Sequence, residues 1–374
     1  MPASKPHPLK LALAATAALL LAGPALAQDK VVNVYNWSDY IDPSVLESFT
    51  KDTGIKVVYD TMDSNEVLET KLYAGHSGYD VVVPTGANLQ REIKAGVFQP
   101  LDKSKIPNLK YAWDEIVKRL QTYDPGNKYA VNYMWGTTGI GYNVDKAKQR
   151  MGDQPMNSWD VIFKPEILSK FADCGIYFLD TPDELIPAAQ KYLGLDPNSK
   201  DPKDIAKATA ALVAISKYVK KFHSSEYINA LANGDICLAV GWSGDVIQAK
   251  NRAIDAHTKS PDKPLVDIGY AIPKEGALMW FDSMAIPKDA AHVDEAHAFI
   301  NYMMRPDIAA KNTNYVSYPN GNLESQKSVN PDILSNTSIY PDAATLAKLF
   351  ITTPPDAKIQ KLWTRNWTKI KTGQ

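Results

Sequence analysis

Apolar positions gather at strand-like spacing in VVNVYNW (Val31 to Trp37), in IKVVYDTM from Ile55, and in YDVVVPTG (Tyr79 to Gly86). Between these runs the period becomes helical. Val45, Leu46 and Phe49 follow Pro43 and stop at Gly54; Val67, Leu68 and Leu72 follow a capping Asn65 and stop at Gly75; Leu89, Ile93 and Val97 come next. Short buried strands separated by helices of about ten residues predict a parallel, doubly wound sheet. Ligands of such sheets sit beyond the carboxyl ends of the strands, which selects two loops, Asn36-Trp37-Ser38-Asp39-Tyr40 and Pro84-Thr85-Gly86-Ala87.

From Tyr133 the pattern changes to YMWGTTGIGYNVDK, a glycine-punctuated extended stretch suited to crossing between two lobes. The region from about Asn143 to Pro264 reads as a second lobe, with a helical run from Ala206 to Tyr218 and a strand in DICLAVGW (Asp235 to Trp242). YAIPKEGALMWFDSMAIP (Tyr270 to Pro287) predicts an antiparallel strand pair returning to the first lobe. Helices are expected from His292 to Met304 and beyond Asp342. The resulting division is residues 28–137 with about 268–325 in the first lobe, and about 138–267 with the C-terminal segment 326–374 in the second lobe or packed at the hinge.

The N-terminus carries Lys5 and Lys10, an apolar run from Leu11 to Gly23, and Ala25-Leu26-Ala27. This is the order of an export signal cleaved after Ala27, and the run is shorter than the roughly 20 residues that span a bilayer. Gln28 rather than cysteine follows the cut, which argues against a lipid anchor there. Losing two lysines takes the formal charge from −1 to −3, a balance without the basic excess that nucleic-acid binding needs. The two cysteines, Cys174 and Cys237, predict one disulfide in an oxidising compartment.

Enzyme signatures are missing: the chain has no GxGxxG after its first strand, no GxxxxGK[ST], no HExxH and no CxxC. Gly241-Trp242-Ser243-Gly244-Asp245 has its second glycine one position too early for a nucleophile elbow. His76, His223, His257, His292 and His297 are scattered. Aromatic residues beside acids stand out instead, in Trp37-Ser38-Asp39-Tyr40, Trp242-Ser243-Gly244-Asp245 and Trp280-Phe281-Asp282, with further acids in Leu179-Asp180-Thr181-Pro182-Asp183-Glu184. One such cluster is ordinary; three at strand ends of both lobes are not. A buried ammonium needs a carboxylate, and indole and phenol faces attract cations while burying methylenes. The combination fits an organic cation with an apolar middle.

At these residues the chain resembles the periplasmic polyamine-binding proteins of ABC importers, over about Val31 to Lys371. The runs that carry the likeness include YNWSDYI, TGIKVVYD, DSNEVLE, GVFQPLDKSK, TTGIGYNVDK, FHSSEYINALANGDIC, IPKEGA and RNWTKIKTG. The resemblance implies an α/β, two-lobed type II periplasmic binding protein fold that closes on its ligand by a hinge, without a cofactor, metal or catalytic residue. It implies as ligand-binding residues Trp37, Ser38, Asp39, Tyr40 and Thr85, then Glu184, Ser224, Trp242 and Asp245, and finally Trp280, Asp282 and Tyr318. Asp245 and Asp282 are expected to pair with ammonium groups, Glu184 and Asp39 to hold the other end, and Cys174 to join Cys237. Partners implied are putrescine or spermidine and an inner-membrane permease, for a monomeric periplasmic carrier. Trp280 stands where putrescine binders often have phenylalanine, Thr85 where they tend to have serine, and Thr181 where a spermidine binder has aspartate.

Other readings are a same-fold carrier of another small organic cation, and an exported hydrolase or lyase using Asp39, Glu184, Asp245 or Asp282 as acid and base. An amino-acid carrier needs an arginine for the carboxylate, and none of the four loops has one.

Overall fold

The computed structural model describes residues 1–2 and 30–373, so the expected export signal lies outside the described residues. Among the described residues, nine strands form one continuous arrangement: β1 (Val31–Trp37), β2 (Lys56–Met62), β3 (Val81–Val82), β4 (Ala130–Asn143), β5 (Ile176–Phe178), β6 (Lys221–Phe222), β7 (Leu238–Trp242), β8 (Ile268–Ala271) and β9 (Met279–Ala285). Their order is β2-β1-β3-β9-β4-β7-β5-β6, with β8 also on β4. The βα units at the start pair in parallel, β1 with both β2 and β3, as the alternating pattern predicts.

One strand joins the two halves. The first part of β4, Ala130 to Thr137, pairs antiparallel with β9, and the rest, Thr138 to Asn143, pairs antiparallel with β7 and β8. Here the expectation for Tyr270 to Pro287 needs correcting. Strands β8 and β9 are not partners of each other; each takes a different stretch of β4, whose 14 residues are long enough to serve both. Apolar alternation reveals a strand but not its neighbour. The third strand is also shorter than its apolar run, since Pro84 has no N–H to continue the ladder.

Each half has its own core. That of the first half is in two clusters, one with Val32, Val34, Phe49 and Phe299 and the other with Leu68, Leu89, Trp135 and Phe281; that of the second is built on Trp159, Phe171, Phe178, Ile186, Leu212, Leu238 and Val246. The segment from 326 divides between them: Tyr340, Leu349 and Ile351 pack on the first, while Trp363 and Trp367 of the helix Ala357–Thr372 are buried in the second. Cys174 and Cys237 are bonded, with Cα atoms 5.6 Å apart, fixing β7 to the turn before β5.

The helix Asn65–Ala74 is capped by Ser64, whose Oγ accepts from the Val67 N–H, rather than by Asn65. That one-residue shift matters, because it leaves the Asn65 amide free to bond elsewhere.

Candidate functional site

Strands and loops from both halves converge on one hollow. Eleven of the twelve residues expected from sequence line it: Trp37, Ser38, Tyr40, Thr85, Glu184, Ser224, Trp242, Asp245, Trp280, Asp282 and Tyr318. Asp39 is the exception. Its backbone adopts a left-handed conformation (φ 54°), and its carboxylate pairs with Arg252 at 2.8 Å instead of facing the hollow.

The aromatic wall is continuous and made of edge-to-face neighbours. Trp37 meets Trp242 at 5.9 Å between ring centres, Trp242 meets Trp280 at 6.4 Å, Trp280 meets Tyr318 at 5.4 Å, and Tyr318 meets Tyr40 at 5.1 Å. Two glycines make this packing possible. A β-carbon on Gly136 of β4 would fall 2.6 Å from the Trp280 ring, and one on Gly244 would fall 2.4 Å from Tyr318, so neither position tolerates alanine without moving a wall.

Three carboxylates face this wall, each held by uncharged donors. Asp282, on β9, accepts from Tyr40 Oη at 2.9 Å and Thr85 Oγ1 at 2.7 Å. Thr85 is in turn fixed by Asn65, whose Oδ1 accepts from the Thr85 N–H at 3.1 Å and whose amide donates to Oγ1 at 3.2 Å. Asp245, in the first turn of the helix Ser243–Lys259, accepts from Tyr318 Oη at 2.7 Å and Tyr227 Oη at 2.8 Å. Glu184 accepts from Trp242 Nε1 at 2.9 Å and from the Thr138 hydroxyl. These hydroxyl and indole donors orient the oxygens without neutralising them, and each oxygen keeps a lone pair for another donor.

Electrostatics follow from burial. Loss of water pushes Asp282 and Glu184 up to about 7 and Asp245 up to about 6; the hydroxyl and indole donors, and Arg252 beyond Asp245, offset this only in part. No lysine, arginine or histidine is among the lining residues. A cavity with three enclosed carboxylates, aromatic faces and no base attracts cations and repels anions.

Sequence reasoning missed Met62, Asp63, Asn65, Ser225 and Ile228 in the lining, and Tyr227 and Thr138 behind it. Asp63 and Asn65 had a readable signal: they follow β2, at the same strand ends as the two chosen loops. Tyr227 had none, since it acts from inside a helix (Tyr227–Ala232) through its phenol oxygen. The acid Asp180 is not in the hollow; it accepts from Trp367 Nε1 at 2.7 Å and pairs with Lys371 at 3.0 Å.

Two core-bearing halves joined through one crossing strand, with an open-ended acidic and aromatic hollow between them, define a two-lobed type II periplasmic binding protein. The chain belongs to the bacterial extracellular solute-binding protein family, whose model matches residues 44–339. It is similar to the putrescine-binding periplasmic protein SpuD of Pseudomonas aeruginosa, 52% identical over 98% of each chain. It is also similar to the putrescine-binding periplasmic protein PotF of Escherichia coli, 50% identical over 94% of each. Among solved structures, a putative spermidine/putrescine ABC transporter protein from Listeria monocytogenes superposes with a TM-score of 0.80 at 32% identity, covering 92% of this chain and all of that one. The family is one of solute carriers rather than enzymes.

Proposed function

We propose that this chain is the periplasmic binding component of an ABC importer, exported by a signal cleaved after Ala27, and that it captures a short polyamine of the putrescine and spermidine class as a monomer. The observation that carries this reading is the hollow's three enclosed carboxylates with no resident base. In it, Asp245 and Asp282 pair with ammonium groups and Glu184 holds a further amine N–H directly or through water. Trp37, Trp242, Trp280, Tyr40 and Tyr318 cover the methylenes, each worth roughly 0.8 kcal/mol on burial. Ser38, Thr85 and Ser224 complete the polar lining. Domain closure then brings residues 28–137 with 268–325 against residues 138–267, and the closed form presents itself to the membrane permease.

Calorimetric titration of the mature protein with putrescine, spermidine, cadaverine and a set of neutral amino acids tests the proposal. Saturable 1:1 binding of at least one polyamine, and none of the amino acids, is the expected result. Binding of amino acids with no polyamine response refutes it.

A further inference from the structure

Among the described residues two ion pairs cross from one lobe to the other, and neither lines the hollow. Asp39, in the loop after β1, reaches Arg252 of the helix Ser243–Lys259 at 2.8 Å. Arg91, in the helix Gly86–Ala95, faces Asp183 of the helix Pro182–Tyr192 at 3.8 Å. The pairs have opposite polarity, with the acid on the first lobe in one and on the second lobe in the other. Each stands behind a different site carboxylate. Arg252 and Asp39 both act electrostatically on Asp245, and Asp183 adjoins Glu184.

The pairs also differ in completeness. Asp39 and Arg252 are in hydrogen-bonding contact. Arg91 is anchored on its own lobe by Glu69, with Nε at 2.9 Å and Nη2 at 2.8 Å, while its Nη1 is buried without a hydrogen-bond partner. Across the gap, Asp183 Oδ1 is buried and unpartnered too. Leaving a buried donor unmade is costly, and roughly 1 Å of further approach would bring Arg91 Nη1 into hydrogen-bonding distance of Asp183 Oδ2. Glu66 and Glu69 lie on the same side and disfavour a second negative charge at Asp183, so Arg91 is the group that makes the approach favourable. Lys200 also faces Asp183 and adds to that attraction.

We propose that Arg252 and Arg91 are positioning residues that latch the two lobes together over a bound ligand, Arg252 through Asp39 and Arg91 through Asp183, with the Arg91 latch completing last. The inference rests on the polyamine reading for its ligand but not for its geometry. Because the latches form only as the lobes meet, they govern escape rather than encounter.

The test is stopped-flow kinetics of the mature protein with putrescine or spermidine, whichever the wild type binds. In Arg252→Asp and in Arg91→Ala, dissociation should accelerate by roughly fivefold or more while association changes less than about threefold. The swap Asp39→Arg with Arg252→Asp should restore slow dissociation, which a merely structural role would not do. Unchanged dissociation in both single variants, or a double variant no slower than Arg252→Asp alone, overturns the latch. Failure of the wild type to bind any polyamine overturns the function instead. In that event small-angle scattering of the unliganded protein decides the latch: Arg252→Asp should expand the particle and the swap re-compact it, and identical profiles for all three forms reject it.

Discussion

Asp180 and Asp282 look alike in the sequence, each an acid in or just after a strand and beside bulky neighbours, yet the fold treats them in opposite ways. Asp180 receives a permanent cation, Lys371, together with the Trp367 N–H. Asp282 receives two hydroxyls and no charge, and burial pushes its carboxyl up to about 7. The difference separates structure from function. A carboxylate with its own lysine is complete within the chain, whereas one with hydroxyl donors only is oriented for a cation that the chain does not supply. Asp245 and Glu184 belong with Asp282 by this criterion, and Asp39 with Asp180, since Arg252 serves it.

The largest effect should come from removing a site charge. Asp282→Asn keeps the shape and the hydroxyl contacts but deletes the counter-charge, and we expect polyamine affinity to fall by about 2 kcal/mol or more by calorimetry. An unchanged affinity would put Asp282 in the same category as Asp180.

Proton competition comes next. Protonated carboxyls cannot pair with ammonium, so affinity should decline as pH falls from 8 to 5.5, through the range of about 6 to 7 to which burial has raised these groups. Stability of the ligand-free protein should run the other way. A carboxyl raised in the folded state stabilises fully below its unfolded value near 4, and that contribution is lost as pH rises through 6 to 7. Thermal melts without ligand should therefore show a lower Tm at pH 8 than at pH 5.5, by an amount that saturating polyamine reduces. A pH-independent gap between the two melts would contradict this.

A smaller effect concerns choice between ligands. Trp280 contributes a broad wall shared with Trp242 and Tyr318, and Trp280→Phe should shift preference toward the shorter diamine by a few-fold. Equal losses for both ligands would reject that role. The smallest effect is expected at Asp180→Asn. It should leave polyamine affinity within threefold and lower stability by about 1 kcal/mol or less, since the pair with Lys371 is partly exposed.

Much of the site was legible because strand ends mark it. Trp37, Thr85, Trp242 and Asp282 all lie at or beside strands whose apolar runs are plain in the sequence. What was hidden depends on partners far along the chain. Asp39 could not be separated from Asp245 without knowing that Arg252 lies opposite it, and the pairing of β8 and β9 could not be read without knowing that β4 spans both halves. Tyr227 was invisible for the same reason: its helical surroundings say only that it is buried, not that its hydroxyl ends on Asp245.

The most direct test is the number of protons exchanged when a diamine binds at pH 6.5, obtained from calorimetry in buffers of differing ionisation enthalpy. Carboxyls held near 6 to 7 in the empty hollow must ionise to meet the ammonium groups, so release of at least about half a proton per ligand is expected. No release, or net uptake, would show that the enclosed acids are not what receives the cation.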